Sequence, residues 1–98
     1  MFVVVITYTA PLERIDELLP SHVQWLDEQY AAGAFLASGR RVPRVGGVIL
    51  ARAADRGGLE QLLTGDPFHQ AEAASYEVIE FIPTKTAPEL TALAETLG

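Results

Sequence analysis

The N-terminal segment from Phe2 to Thr9 constrains the fold more than any other part of the chain. It is rich in β-branched residues and ends in a Thr-Tyr-Thr run, which predicts a strand. Successive side chains of a strand point to opposite sides, and here apolar residues occupy both sides: Phe2, Val4 and Ile6 on one, Val3 and Val5 on the other. A strand with two apolar faces is covered on both sides, so we expect this one at the centre of a sheet.

Hydrophobic periodicity and the positions of proline and glycine predict the other elements. Pro20 is expected to kink the first helix or to divide it, with a second half beginning at Pro20. Gly46 and Gly47 predict a bulge or a close approach of two backbones. The predicted elements are a helix from Pro11 to a glycine cap at Gly33, strands over 34–39 and 46–53, a helix over 55–65, a short helical turn over 66–71, a strand over 75–83 and a terminal helix over 87–97.

This order, β-α-β-β-α-β followed by an extra C-terminal helix, is that of an α+β, ferredoxin-like fold. We expect a single domain over 1–98, with its core in 1–83 and a helical tail in 84–98. Helices on one face of such a sheet leave the other face open, and here that face is apolar. A second copy of the chain would cover it and make a homodimer. The tail helix is the alternative cover.

Composition excludes several classes of function. With 49% apolar residues and a mean hydropathy of +0.19, the chain can bury a core. The absence of cysteine excludes disulfides, a thiolate nucleophile and a cysteine-based zinc site. A net charge of −6 argues against nucleic-acid binding. The apolar start lacks a basic leader, and no run approaches the roughly 20 apolar residues of a membrane span, so we expect a cytoplasmic protein.

The segment from Gly65 to His69 offers the first candidate for chemistry. Asp66 followed by Pro67 is typical of a helix start, in which the aspartate caps and the proline occupies the first turn. Alternatively, Asp66 orients His22, which lies on the apolar stripe of the first helix; an Asp–His pair is a recurrent general base. His22 in turn is either a core histidine bonded to the backbone or that base.

Five of the seven basic residues gather around one predicted hairpin: Arg40, Arg41, Arg44, Arg52 and Arg56. They can be a solvated hairpin whose charges discourage edge pairing between sheets. They can also be a rim that attracts a carboxylate or phenolate substrate. The sequence alone leaves both interpretations open.

Four short motifs, in this order and spacing, resemble those of the YciI-like family: Pro20-Ser21-His22, Ser38-Gly39, Gly46-Gly47 and Asp66-Pro67-Phe68. The resemblance covers essentially residues 1 to 83. It implies a dimeric α/β barrel built from two ferredoxin-like units, with a His22/Asp66 pair. A dehydrochlorinase of chlorinated hydroxyquinols resembles this family, and wider relatives of the barrel include muconolactone isomerases and cofactor-free monooxygenases.

The remaining candidate residues would bind substrate. Ser38 and Gly39 follow a strand, where the hydroxyl can donate to substrate or simply belong to a turn. Tyr8 and Phe68 can form pocket walls or pack in the core, and Arg40 and Arg44 would attract an anion. A metal site of His22, Asp66 and His69 has no supporting ligand spacing, so we expect neither metal nor cofactor.

Two classes of function remain. The first is a cofactor-independent enzyme of lyase, dehydrochlorinase or isomerase type that moves protons on a small anionic or hydroxyaromatic compound, with His22 as base and Asp66 as its orienting partner. The second is a non-catalytic dimeric module that binds a small ligand or has a structural role. The surroundings of His22 distinguish them, because a base needs a cavity beside it and a core histidine does not.

Overall fold

The computed structural model describes residues 1–94 of the 98-residue chain. Within this range the order of elements is that of the predicted ferredoxin-like fold. The elements are β1 (Phe2–Tyr8), α1 (Leu12–Ala31), β2 (Phe35–Arg40), β3 (Gly46–Ala51), α2 (Arg56–Leu63), α3 (Pro67–Gln70), β4 (Ala74–Glu80) and a 3₁₀ helix (Pro88–Leu93).

The four strands form one antiparallel sheet in the order β2-β3-β1-β4. The prediction that the first strand is central is therefore confirmed, and β3 is the other central strand, as the ferredoxin-like order implies. In the register of the sheet, Val4 of β1 lies opposite Ile49 of β3 and Val78 of β4. Directly opposed residues share a face, so these three apolar side chains form one row across the sheet.

The two faces of β1 have different surroundings. Phe2, Val4 and Ile6 are at most 2% exposed and pack with buried residues of α1 and α2, among them Trp25 and Leu59. On the other face, the β1 valines at positions 3 and 5 are only partly buried, and the β4 isoleucine at position 79 remains 45% exposed. The sheet thus presents a second apolar face, as the alternation in β1 predicts.

Helix α1 runs without interruption from Leu12 to Ala31, with Pro20 inside it. The prediction that Pro20 divides this helix is wrong. Proline removes one backbone N–H, and its usual partner would be the carbonyl of Asp16. Both residues are exposed, so that carbonyl is not left in the core. The helix ends as predicted at a glycine in the left-handed region, Gly33, with a φ of 79°.

The glycine pair at the start of β3 marks the predicted close approach of two backbones. A Cβ atom on Gly46 would lie 1.7 Å from the carbonyl oxygen of Ile6 in β1. One on Gly47 would lie 3.1 Å from the carbonyl oxygen of Gly39 in β2. Only a residue without a side chain fits at position 46.

The tail after β4 forms a shorter helical segment than predicted. The 3₁₀ helix covers six residues, and Leu90, which its spacing predicts on the apolar side of the terminal helix, is 49% exposed. Leu97, placed on the same side, lies outside the described residues. Across residues 1–94, the structure contains no helix with the length and apolar character needed to span a bilayer.

Candidate active site

Asp66 occupies both of the roles that the sequence left open. It is the N-cap of α3, and its Oδ1 accepts a hydrogen bond from the backbone N–H of Phe68 at 3.0 Å. The same oxygen lies 2.8 Å from Nδ1 of His22, 44 residues away in the chain. Asp66 is fully buried. The structure therefore brings His22 and Asp66 into direct contact, while their catalytic role stays a prediction.

His22 is held by its packing as well as by this hydrogen bond. Its ring stacks on Phe68 with centroids 4.0 Å apart and an interplanar angle of 14°, and Trp25 lies 5.9 Å away on the same helix. Nε2 of His22 has no hydrogen-bond partner in the protein. Within residues 1–94, every fully buried side-chain nitrogen or oxygen has such a partner. Nε2 must therefore be accessible to solvent.

His22 lies at the wall of a cavity of about 180 Å³ between α1 and the sheet, named here the His22 cavity. Six of the eight residues predicted for the site line this cavity. Its lining consists of Leu19, His22, Val23 and Leu26 from α1, Ile6 and Tyr8 from β1, Ser38, Gly39 and Arg40 from β2, Gly46, Gly47, Val48 and Ile49 from β3, and Phe68 from α3. Asp66 lies behind His22 and does not line it.

The arginines around the hairpin have separate surroundings. Arg40 lines the His22 cavity, and its side chain makes no ion pair or hydrogen bond with another residue in 1–94. Arg44 pairs with Asp16 of α1, and this hydrogen bond raises the pKa of the guanidinium. Arg41 donates to the hydroxyl of Thr7 at 3.0 Å. Of these three arginines, Arg40 is the one that lines the cavity, and its charge is left for a ligand, whereas the charge of Arg44 is already compensated.

Two tyrosines contribute contacts that sequence reasoning missed. Tyr30 of α1 shares a 2.7 Å hydrogen bond with the hydroxyl of Ser38 at the cavity. Tyr76 of β4 donates its hydroxyl to Oδ2 of Asp66 at 2.6 Å. The alternation of β4 already placed Tyr76 on one face with Val78, and the register shows that this is the face covered by the helices. Nothing in the sequence indicated its partner.

Burial raises the pKa of Tyr76 well above its usual value of 10, and the neighbouring Asp66 carboxylate adds to the effect. A phenolate there would lose its hydration and stand against a negative charge. Tyr76 therefore keeps its proton at neutral pH and acts as a hydrogen-bond donor. An ionised Asp66 can only accept, so neutral His22 carries its ring proton on Nδ1 and leaves Nε2 as the basic nitrogen.

A second cavity of about 350 Å³, named here the Tyr76 cavity, lies at the β4 side of the molecule. Tyr76, His69, Arg56 and Glu60 are among the residues that line it. His69 is exposed and has its ring 5.6 Å from that of Tyr76. Among the described side chains, no cluster of three or more His, Asp or Glu residues is arranged to hold a metal ion.

Comparison with known proteins gives two findings. The sequence model of one family, described as the YCII-related domain, matches residues 1–82. Among solved structures, the chain is similar to 5-chloro-2-hydroxyhydroquinone dehydrochlorinase (TftG) from Burkholderia phenoliruptrix AC1100, solved in complex with 2,5-dihydroxybenzoquinone, with a TM-score of 0.69, 15% identity and coverage of 83% of this chain and 93% of that one. At this identity the similarity shows a shared fold. No curated protein sequence matches the chain.

Proposed function

Because the chain belongs to the family of YCII-related domains, we propose that it is an enzyme in which His22 and Asp66 perform acid–base chemistry on a small ring compound. One observation carries the proposal. His22 has one ring nitrogen held by a buried carboxylate and the other accessible beside a cavity. A histidine that served only the core would also need a hydrogen-bond partner, but it would have no need of a second nitrogen accessible beside a cavity.

In this proposal His22 acts as a general base through Nε2. It takes a proton from a hydroxyl group or an activated C–H group of the substrate, and the imidazolium that forms is stabilised by the Asp66 carboxylate. Expulsion of chloride from the resulting anion completes an elimination. Return of the proton to a different carbon completes an isomerisation. Both reactions use the same pair.

The His22 cavity suits a single-ring substrate with a negative or hydroxylated edge. A cavity of about 150 Å³ is enough to hold benzene, and this one has about 180 Å³. Its walls are largely aliphatic and aromatic, while Arg40 and Ser38 offer a cation and a hydroxyl. Phenolates and carboxylated rings match that lining. The structurally similar TftG is by name a dehydrochlorinase of a chlorinated hydroquinone, which makes this class the first to test.

We also propose that the protein is a homodimer, paired through the apolar face of the sheet that carries Val3, Val5 and Ile79. The partial exposure of these residues supports the pairing, because contiguous apolar surface of this kind is uncommon on monomers. A two-fold axis would place the two sheets face to face and leave each His22 cavity on the helix side of its own sheet.

The test is a screen of the purified protein against hydroxylated and halogenated single-ring aromatics and small lactones. Turnover is followed by ultraviolet absorbance and, for halogenated compounds, by chloride release. For a compound that is turned over, His22→Ala should lower kcat by about 10²–10⁴-fold, the usual contribution of a general base. Arg40→Ser should raise KM for anionic compounds and leave neutral ones unaffected.

His69→Gln is the matched control, since His69 is the other histidine of the chain and lines the Tyr76 cavity instead. It should retain wild-type turnover. Equal activity in the wild type and His22→Ala would contradict the proposal. Saturable binding of ring compounds without turnover of any of them would favour the non-catalytic binding module.

A further inference from the structure

Both carboxylate oxygens of Asp66 take part in hydrogen bonds, and the donor to Oδ2 comes from the sheet. Oδ1 receives the backbone N–H of Phe68 and faces Nδ1 of His22, whereas Oδ2 is bonded only by the hydroxyl of Tyr76. The oxygen atoms of this fully buried carboxylate all have partners. Among the 94 described residues, Tyr76 is thus the one hydrogen-bond donor to Oδ2.

The Tyr76–Asp66 hydrogen bond controls the orientation of the carboxylate plane. A carboxylate can rotate about its Cβ–Cγ bond, and its terminal torsion is the softest of the aspartate side chain. The Phe68 N–H bond anchors one oxygen only. The second oxygen is held at 2.6 Å by the phenol of Tyr76, whose backbone pairs with Ile6 of β1, so rotation breaks a strong hydrogen bond to a charged acceptor.

Tyr76 also separates Asp66 from solvent on that side. Tyr76 lines the Tyr76 cavity, and Asp66 does not. Removal of the hydroxyl leaves a buried acceptor without a partner, next to a cavity of about 350 Å³ that can supply water. The carboxylate then has an alternative to its contact with His22.

We propose that Tyr76 is a positioning residue for the His22–Asp66 pair: its hydroxyl fixes the Asp66 carboxylate so that Oδ1 holds the ring proton of His22 on Nδ1. The effect of Tyr76 on catalysis rests on the proposed function. Its effect on the orientation of Asp66 and on the His22 tautomer does not depend on that function. Tyr76 acts on the chemistry only through Asp66, because it does not line the His22 cavity.

The experiment uses nuclear magnetic resonance of protein labelled with ¹⁵N-histidine. The chain has two histidines, so the spectrum contains two imidazoles, and the spectrum of His69→Gln identifies the signals of His22. At neutral pH the wild type should show His22 as the Nδ1–H tautomer with a slowly exchanging ring proton. In Tyr76→Phe the two tautomers should mix, and exchange of that proton should accelerate by roughly tenfold or more, as expected for the loss of one hydrogen bond to a charged group.

Tyr30→Phe is the matched control, because it removes a phenol hydroxyl that bonds Ser38 instead of Asp66. It should leave the His22 tautomer unchanged. If Tyr76→Phe folds and retains the wild-type tautomer and exchange rate, Tyr76 is only a structural residue and the inference is overturned. If Tyr76→Phe does not fold, protein with 3-fluorotyrosine at position 76 alone replaces it, because the more acidic phenol is a stronger donor and the ring differs by a single fluorine atom. The His22 Nδ1–H resonance should then move, and a fixed resonance would overturn the inference.

The outcome is distinguishable from a failure of the proposed function, since no substrate enters these measurements. A protein that turns over nothing, but whose His22 tautomer depends on Tyr76, would refute the enzyme and leave the positioning intact. For a compound found in the screen, Tyr76→Phe should lower kcat at constant KM, because Tyr76 does not touch the His22 cavity. A raised KM with unchanged kcat would count against it.

Discussion

At the scale of single residues, Asp66 shows how one side chain serves a local and a distant partner together. Its cap on α3 is a contact between neighbours in sequence, and it holds the carboxylate where His22 and Tyr76 can reach it. A buried carboxylate without such partners would cost several kcal/mol. The short helix that Asp66 starts is therefore part of the site and not only a connection between α2 and β4.

The first prediction at this scale concerns alkaline pH. The raised pKa of Tyr76 means that the folded state holds the phenolic proton to higher pH than the unfolded chain does. This contribution to the free energy of unfolding is fully present below about pH 10 and is lost as the pH rises from there toward the folded-state pKa. Its slope is at most about 1.4 kcal/mol per pH unit.

Tyr76→Phe should lack this part of the pH dependence. At neutral pH the variant should be less stable than the wild type by roughly 1–3 kcal/mol, because Oδ2 of Asp66 loses its donor. Between about pH 9 and about pH 11 the difference in the free energy of unfolding between the two proteins should become smaller, since only the wild type has the Tyr76 phenol to ionise. Urea unfolding at several pH values measures both effects, and a constant gap would show that Tyr76 does not titrate as the structure implies.

At the scale of elements, β3 is shaped by its first residue. β3 pairs with β1 and β2, and the backbone of β1 approaches Gly46 so closely that a Cβ atom has no space. Gly46 and Gly47 also line the His22 cavity, so the close approach of the β1 backbone to β3 also shapes the wall of this cavity. The glycine pair thus links sheet geometry to the site.

Gly46→Ala should therefore destabilise the protein by about 1–3 kcal/mol or more, since the added methyl group must displace the backbone of β1. Gly39→Ala on the neighbouring strand is the control, as a Cβ there meets nothing within 4 Å. The control should be neutral or slightly stabilising. Denaturant unfolding of the two variants checks this, and equal stabilities would contradict the close approach.

At the scale of the whole molecule, the sheet has one face covered by helices and one apolar face that remains accessible in the single chain. Val3 and Val5 are partly buried there, and Ile79 is 45% exposed. Apolar area that stays in water contributes nothing to folding, whereas burial in an interface gains about 25 cal/mol per Å². This is the physical reason to expect assembly.

Ile79→Glu should convert the proposed dimer to a monomer, because the carboxylate would be buried without a partner at the interface. Sedimentation equilibrium at micromolar concentration measures the change. Val42→Glu is the control: Val42 is 93% exposed, so the same substitution there should leave the assembly intact. A wild-type chain that sediments as a monomer would refute the dimer.

The order of elements and the central position of β1 and β3 could be predicted from the sequence, because both depend on local periodicity. The apolar alternation of Phe2–Tyr8 required cover on two sides. Gly33 marked a left-handed backbone at the helix end, and Gly46 marked a position where a side chain is excluded. Local signals failed in part at Pro20, where the sequence predicts a kink or a division and the helix is not divided. The helix continues because its amphipathic faces are set by packing along its whole length.

Only part of the candidate site could be predicted from the sequence. The His22–Asp66 contact could be predicted because both helices had to pack on the same face of the sheet, and the family resemblance named the same pair. The contact of Tyr76 with Asp66 and the difference between Arg40 and Arg44 could not be predicted. Each depends on which side chain the folded chain places within about 3 Å of another, and that distance is set by the register of β4 and by the position of the hairpin against α1.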